Sequence, residues 1–205
     1  MLMNRVETIV VNSGARRALQ RCYETPALLR LGGQLAPGAR ALELGCGAGY
    51  GTALILDRFG ADRVDAVDLD PEMVDRARRR LARHGDRVRL TVGDVTDLRR
   101  ALGAADDSYD AVFDFGILHH VEDWQSAVGD VARVLRPGGR FYFDEVTADA
   151  LATRGYRWLF DHPTQNRFTA VEFVAELERQ GLAVGRRWRT RIRGHYVLGV
   201  ADRVA

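Results

Sequence analysis

A glycine-rich segment at residues 43–51, ELGCGAGYG, constrains the fold of this chain more than any other feature. It follows a short apolar run at residues 41–44 and precedes a stretch that is expected to be helical as far as Phe59. Glycines allow a tight turn from strand to helix and let a ligand approach main-chain amides. In open α/β sheets, ligands bind at such carboxyl ends of strands. The segment therefore predicts a strand, a ligand-binding loop and a helix, in that order.

The same alternation of strand and helix continues along the chain. Further strands are predicted at residues 64–69, 87–92, 111–115 and 140–146. Asp70 before Pro71 predicts a helix start, because an aspartate caps orphan amides and proline lacks an N–H there. Thr169 and Glu172 form a capping-box pattern. Residues 182–202 are predicted to be a hairpin that turns near residues 193–194.

The N-terminal part is expected to be helical over residues 4–24, with Pro26 ending or interrupting the helix and a second helix over residues 27–35. Repeated strand–helix units predict an α/β fold with a parallel sheet, helices on both faces and an antiparallel C-terminal hairpin. At 205 residues we expect one domain, 1–205. Its parts are an N-terminal helical cap (1–38), a ligand-binding core (39–146), a further segment (147–168) and the C-terminal helix and hairpin (169–205).

Composition limits the partners of the chain. All 30 Lys and Arg residues are arginine, yet the net charge is only +2, which argues against a dedicated nucleic-acid binder. Cys22 and Cys46 form neither a disulfide framework nor a metal-ligand spacing, so no metal site is expected. The apolar run near Met1 is short and lacks a basic lead, and we expect a cytoplasmic protein.

The glycine loop also distinguishes between two nucleotide cofactors. Dinucleotide binding uses G-x-G-x-x-G, whereas Tyr50 stands here where the third glycine should be. A pyrophosphate favours a helix N-terminus without a nearby acid, and Glu43 lies two residues before Gly45. S-adenosylmethionine has an ammonium, a carboxylate and a sulfonium but no phosphate, so Glu43 suits it. An NAD-dependent oxidoreductase is the alternative from another class.

An acid at the end of the second predicted strand and another after the third strengthen this interpretation. Asp68 can accept two hydrogen bonds from ribose hydroxyls, and Leu69 beside it can cover the adenine face. Asp94 can accept from the adenine amine while the Val95 amide contacts a ring nitrogen. The alternative for Asp94 is a solvated or capping loop residue.

Five blocks in order carry a resemblance to a known family. The blocks ALELGCGAGYGT, DAVDLDPEMV, GDVTDL, YDAVFDFGILHHV and LRPGGRFYF, within residues 39–146, resemble class I S-adenosylmethionine-dependent methyltransferases. They are similar in particular to the small bacterial ubiquinone and menaquinone methyltransferases. The resemblance implies a Rossmann-like, seven-stranded sheet whose last strand is antiparallel between its neighbours. It also implies S-adenosylmethionine as cofactor and S-adenosylhomocysteine as product.

The resemblance implies cofactor contacts residue by residue. Asp114 followed by Phe115 departs from the small or polar residues that the family often has, which concerns the acceptor pocket. The implied cofactor set is Glu43, Gly45, Cys46, Gly47 and Gly49 at the methionine end, Asp68 and Leu69 at the ribose and adenine, Asp94 and Val95 at the adenine, and Asp114, Phe115 and Gly116 near the reactive methyl.

The methyl acceptor is expected to be a small molecule, because the chain lacks the Asn/Asp-Pro-Pro-Tyr/Phe block and an appended nucleic-acid domain. Oxygen or nitrogen is the expected acceptor atom, and carbon the less favoured one. His120 is the first candidate for a base, followed by His119 and Asp114, with Glu145 in reserve. The alternative is that the histidines only shape the loop. Two other functions stay open: a different transfer reaction on the same fold, and a non-catalytic binding role.

Three further features have two interpretations each. The segment 147–168 either covers an apolar pocket as a lid or fills core; its residues of interest are Tyr156, Arg157, Trp158, Phe160, His162 and Arg167. Arg187, Arg189, Arg191 and Arg193 alternate on one strand face, which is either solvated or binds an anion. The arginine-bearing N-terminal helix is a candidate for contact with an anionic membrane surface.

Overall fold

The computed structural model describes residues 10–153 and 165–204. Within them, the strands form one sheet. The strands are β1 (Arg40–Leu44), β2 (Arg63–Asp68), β3 (Val88–Val92), β4 (Tyr109–Asp114), β5 (Leu135–Val146), β6 (Leu182–Ala183), β7 (Trp188–Arg191) and β8 (Tyr196–Arg203).

The strand order is β3-β2-β1-β4-β5-β8-β6, with β7 also paired to β8. Strands β1 to β5 are parallel, and β8 runs antiparallel to β5. This confirms the predicted α/β fold, including the antiparallel strand between its neighbours. The described residues contain eight strands rather than seven because β6 and β7 pair with β8 on the same edge. The order reverses between β1 and β4, which places a ligand crevice at the carboxyl ends of these two strands.

Helices connect the strands. Gly60 has φ 82° and ends the helical segment after the glycine loop, as predicted. The α-helices are α1 (Gly14–Leu19), α2 (Thr25–Gly32), α3 (Tyr50–Leu54), α4 (Pro71–Leu81), α5 (Leu98–Leu102), α6 (Trp124–Val134), α7 (Ala148–Leu151) and α8 (Ala170–Arg179); wider π-helical turns at Gln20–Glu24 and Ile55–Phe59 and tighter 3₁₀ turns at Ala82–Arg87 and Leu118–His120 join them.

The core lies on both faces of the sheet. Along β5, Phe141 and Phe143 pack on one face with Phe173 of α8. The intervening Tyr142 packs on the other face, where its ring stacks on Phe113 with centroids 4.6 Å apart. Because successive residues of a strand point to opposite faces, a sheet buried on both sides requires apolar residues at nearly every position of its central strands.

Of the two outcomes predicted at Pro26, the structure shows an interruption, while residues 4–9 of the predicted helix lie outside the described residues. Pro26 does not end the helix but lies near the start of α2, directly after the π-helical turn at Gln20–Glu24. Proline has no N–H to donate to the preceding turn, and a local change of helical pitch is a usual way to accommodate it. The predicted helix over residues 27–35 ends at Gly32, because Gly33 adopts φ 75°.

Two strand and helix boundaries also differ from prediction. Strand β5 begins at Leu135 rather than residue 140, because Leu135 pairs with Tyr109 before a register shift in β4. Helix α4 ends at Leu81, and a 3₁₀ turn follows, whereas the pattern of apolar residues followed by Gly85 predicts a helix that continues to Gly85. The predicted cap is confirmed, since Asp70 accepts from the Glu72 amide at 2.8 Å.

The segment 147–168 is described only at its ends. Tyr156, Arg157, Trp158, Phe160 and His162, which were considered as parts of a lid, lie outside the described residues. Phe168 at the described end is a core residue, with its ring 4.8 Å from that of Trp124.

Among the described helices, none has the length and apolar character that crossing a membrane requires.

The capping box at α8 provides a test of the fold. The Thr169 hydroxyl accepts from the Glu172 amide, and the Glu172 carboxylate accepts from the Thr169 amide. Thr169→Ala removes the hydroxyl that accepts from a first-turn amide with no partner inside the helix. We expect a loss of about 1 kcal/mol in the free energy of unfolding. Thr169→Ser keeps the hydroxyl and should be close to wild type in urea unfolding. Equal losses in both variants would contradict the capping role.

Candidate active site

A cavity of about 640 Å³ opens at the carboxyl ends of the central strands, within the size range of small-molecule sites. It has two ends joined by a middle section. The loop end is lined by Gly45, Gly47, Asp68, Leu69, Asp94 and Val95, the middle by Phe115, Gly116, His119 and His120, and the arginine end by Arg16, Glu24, Asp144, Arg191 and Tyr196.

Gly47 shows how closely a ligand can approach the glycine loop. It has φ 50°, and a Cβ added to it would meet no atom within 4 Å, so it would project into open space. A side chain there would therefore occupy room beside the cavity and adopt a strained backbone conformation. The loop consequently fits a ligand that contacts main-chain atoms.

Asp68 joins the loop to the end of β2. Its Oδ2 accepts from the Gly47 amide at 2.7 Å, and its Oδ1 accepts from the Asp70 amide at 2.9 Å. Burial raises the pKa of this carboxyl. Each carboxylate oxygen can accept a second hydrogen bond. Asp68 therefore positions the loop and also lines the cavity, with acceptor capacity left for a ligand hydroxyl.

The predicted adenine-binding residues also line the loop end. Asp94 Oδ1 accepts from the Thr96 amide at 2.9 Å and from its hydroxyl at 2.8 Å, which forms a tight turn. The Val95 side chain is buried, whereas Leu69 is 46% exposed. Two apolar side chains beside an exposed carboxylate form a surface that suits a flat ring with an amine at its edge.

Glu43 lies behind the loop and not in the cavity lining. Its side chain is 2% exposed and accepts from the Thr52 hydroxyl. A Cβ at Gly51 would collide with this carboxyl, which explains the last glycine of the motif. Burial raises the pKa of Glu43 to about 8. The sequence predicted Glu43, Cys46 and Gly49 as cofactor contacts. All three are absent from the cavity lining, and their contact with a cofactor stays a prediction.

Two buried acids hold the loop that follows β4. Asp114 accepts from the amides of Gly116 and Ile117 at 3.1 and 3.0 Å. Glu145, at the end of β5, accepts from the Leu118 amide at 2.6 Å. Burial raises the pKa of both carboxyls, and their mutual repulsion raises that of Asp114 further. Asp114 is fully buried and absent from the cavity lining, and its place beside the methyl stays a prediction.

His119 contacts Glu145 directly. Its Nδ1 lies 2.7 Å from Glu145 Oε2, and burial lowers the pKa of the ring below its ordinary value. The ring is therefore neutral at neutral pH, and the neutral tautomer that fits this contact donates from Nδ1 and carries its lone pair on Nε2. His120, the first candidate from the sequence, also lines the cavity, with its ring centroid 4.1 Å from that of His119.

The sequence analysis missed most of the arginine end. Arg191 donates to both oxygens of Asp144 at 2.7 and 3.0 Å, and Arg16 donates to Glu24 at 2.6 Å. The row of arginines is therefore not uniformly solvated, because Arg191 is inward while Arg189 on the same strand is exposed. Asp144, at a strand end beside Glu145, had a signal that could have been recognised. Arg191 had one in the alternating row, whereas Arg16 had none that pointed to the cavity.

Comparison with known sequences finds one matching family and several similar proteins. Residues 41–139 match the family described as a methyltransferase domain. Over 118 residues, the chain is 34% identical to the arsenite methyltransferase of Halobacterium salinarum. The aligned segment makes up 57% of this chain and 29% of that protein. The chain thus spans less than a third of the length of this curated relative.

Solved structures share the fold over nearly the whole chain. A Haloferax volcanii methyltransferase, solved in complex with the Trm112 activator, has a TM-score of 0.74 at 22% identity and covers 93% of this chain and 94% of its own. Geranyl diphosphate C-methyltransferase from Streptomyces coelicolor, solved with S-adenosylhomocysteine, has a TM-score of 0.73 at 19% identity and covers 90% and 81%.

The raised pKa of Glu43 predicts a pH dependence of stability. The native state keeps its proton up to about pH 8, whereas the unfolded chain releases it near pH 4.5. The contribution of this proton to the free energy of unfolding is therefore complete below pH 4.5. It is lost as pH rises towards 8, and the loss is on the order of a few kcal/mol. Glu43→Gln should therefore flatten the decline of unfolding free energy between pH 5 and 8.

The exposed Glu178 on α8 supplies the matched control, and Glu178→Gln should leave the pH profile of urea unfolding unchanged. An unchanged profile in Glu43→Gln would show that Glu43 is ionised in the native state.

Proposed function

Residues 41–139 belong to the methyltransferase-domain family, and on that premise we propose that the protein transfers a methyl group from S-adenosylmethionine to a small-molecule acceptor. The match to this family and the similarity to the arsenite methyltransferase support the resemblance found in the sequence, the enzyme class and S-adenosylmethionine as the cofactor. The proposed acceptor atom is an oxygen or a nitrogen, with carbon the less favoured choice.

One observation carries the proposal: a single cavity joins the loop end to His119 and then to the arginine end. At the loop end, Asp68 accepts from the ribose, and Asp94 with Val95 holds the adenine. The middle section receives the reacting groups, and the arginine end receives the acceptor. When bound, S-adenosylmethionine supplies an electrophilic methyl on its sulfonium. The protein contributes mainly the alignment of the acceptor with that methyl.

His119 is the proposed base, ahead of His120. The neutral ring takes the acceptor proton at Nε2, while Glu145 holds Nδ1 and stabilises the imidazolium that forms. Glu145 is itself fixed by the Leu118 amide, so the ring has a defined orientation. Asp114 is proposed as a positioning residue for the same loop rather than as a base.

The proposal involves no nucleic acid. The net charge is +2, and many of the surface arginines are paired with acids, as in the pairs of Arg76 with Glu72 and Arg83 with Asp57. Tight RNA or DNA binding with a steep salt dependence would contradict this part of the proposal.

Asp68→Ala tests the cofactor site. The variant removes an acceptor for the ribose, and we expect the affinity for S-adenosylhomocysteine in isothermal titration to fall by about one to two decades. Asp75→Ala, an exposed position on α4, should bind as the wild type does. NAD should bind to neither variant nor to wild type. Wild-type affinity in Asp68→Ala would remove Asp68 from the site.

His119→Ala tests the base. With an acceptor found by screening metabolites against a labelled methyl donor, kcat should fall by about 10²–10⁴-fold. The affinity for S-adenosylhomocysteine should change little, because the ring lies outside the loop end. His84→Ala on the 3₁₀ turn after α4 is the control. If His119→Ala keeps turnover within a few-fold of wild type, the mechanism is alignment of the acceptor alone. If only His120→Ala causes a large loss, His120 is the base.

A further inference from the structure

The arginine end of the cavity has charges that the methyl donor does not require. Arg16 of α1 pairs with Glu24 of the π-helical turn, and Arg191 of β7 pairs with Asp144 of β5. The two pairs adjoin, since Arg191 lies 3.9 Å from Glu24. Three separate parts of the chain therefore bring four charged side chains to one end of the cavity.

The arginines are the accessible members of this cluster. The side chains of Glu24 and Asp144 are 3% and 4% exposed, whereas those of Arg16 and Arg191 are 24% and 15% exposed. All four side chains line the cavity, and the guanidinium groups are the more exposed of them. A ligand that enters this end therefore meets mainly the guanidinium groups.

The guanidinium groups also have donors to spare. Each has five N–H groups, and the contacts of Arg191 with Asp144 use a single nitrogen. Its Nε is buried and has no hydrogen-bond partner among the described residues. Because the more exposed part of the cluster consists of guanidinium N–H donors, this end of the cavity presents donors that suit an anion.

The surroundings of Arg191 are aromatic and apolar. Its guanidinium lies 4.9 Å from the ring centre of Tyr23 and 5.5 Å from that of Tyr196, which limits its motion. The cavity wall nearby includes the apolar side chains of Val10, Val11, Leu19, Val146 and Ile192. An acceptor with an apolar body and one charged group would match both parts of this surface.

We propose that Arg16 and Arg191 bind an anionic group, a carboxylate or a phosphate, of a methyl acceptor whose body is apolar. This inference rests on the proposed function, because it assigns the acceptor to the same cavity. Bidentate contacts of guanidinium with either anion are the strong hydrogen bonds that such a site uses. Arg16 also acts electrostatically on His119, so an anion held here lies near the proposed base.

The test uses the full chain saturated with S-adenosylhomocysteine. Isothermal titration measures the affinity for four compounds that share one aromatic ring and differ in their polar group: benzoate, phenyl phosphate, benzyl alcohol and benzylamine. We expect at least one anion to bind about tenfold or more tightly than the alcohol and the amine. A preference between benzoate and phenyl phosphate then identifies the anionic group.

Two variants remove the arginines without leaving a buried acid alone. Arg16→Gln is a single change, because Arg191 at 3.9 Å remains as a partner for Glu24. Arg191→Gln is combined with Asp144→Asn, because an unpaired buried carboxylate would endanger the fold. Each should weaken binding of the anion about tenfold or more, with the affinity for S-adenosylhomocysteine unchanged. Arg189→Gln, exposed on the same strand, is the matched control and should have no effect.

The outcomes separate this inference from the proposed function. Failure of wild type to bind S-adenosylhomocysteine would overturn the proposed function and the inference with it. Normal binding of S-adenosylhomocysteine without a preference for either anion would overturn the inference alone. A preference for benzylamine, or full anion affinity in both arginine variants, would also overturn it and leave the cluster as a structural link between α1 and the sheet.

Discussion

The shape of the cavity depends on carboxylates at strand ends that accept hydrogen bonds from loop amides. Asp68 holds the Gly47 amide, Asp114 holds those of Gly116 and Ile117, and Glu145 holds that of Leu118. Amides that leave a parallel sheet lose their ladder partners, and a buried amide without a partner is costly. The acids provide those partners, and their own burial raises their pKa values.

The arginine end solves the same problem of buried acids differently. There, Asp144 and Glu24 are compensated by guanidinium groups instead of backbone amides. The amides of a loop are fixed in place, and their hydrogen bonds occupy acceptor sites of the acid, so that the acid stabilises the loop. Arginines keep further donors available, so this end can exchange contacts with a ligand while the loop end holds its shape. Glu145 combines both uses, because it accepts from the Leu118 amide and also orients His119.

Local patterns determined a large part of the fold and of the cofactor end. Alternating apolar runs and short loops predicted the parallel sheet, because strand and helix periodicities are properties of neighbouring residues. The caps at Asp70 and Thr169 were predicted for the same reason, since each contact spans two or three positions. The glycine motif and the acid after β2 were also legible, because a ligand crevice at the switch point of the sheet follows from strand order.

The tertiary structure decided which of these polar residues face the ligand. Glu43 and Asp68 both lie in the last residues of strands, yet only Asp68 lines the cavity, because Thr52 and the packing at Gly51 enclose Glu43. The position of a residue in a strand predicts the face of the sheet on which its side chain lies, but it does not predict which loop covers that side chain. Arg191 and Asp144 are 47 positions apart, and only the antiparallel pairing of β8 between β5 and β7 brings them together. The sequence by itself thus determined the elements and the glycine motif, whereas contacts between distant segments decided the arginine end of the cavity.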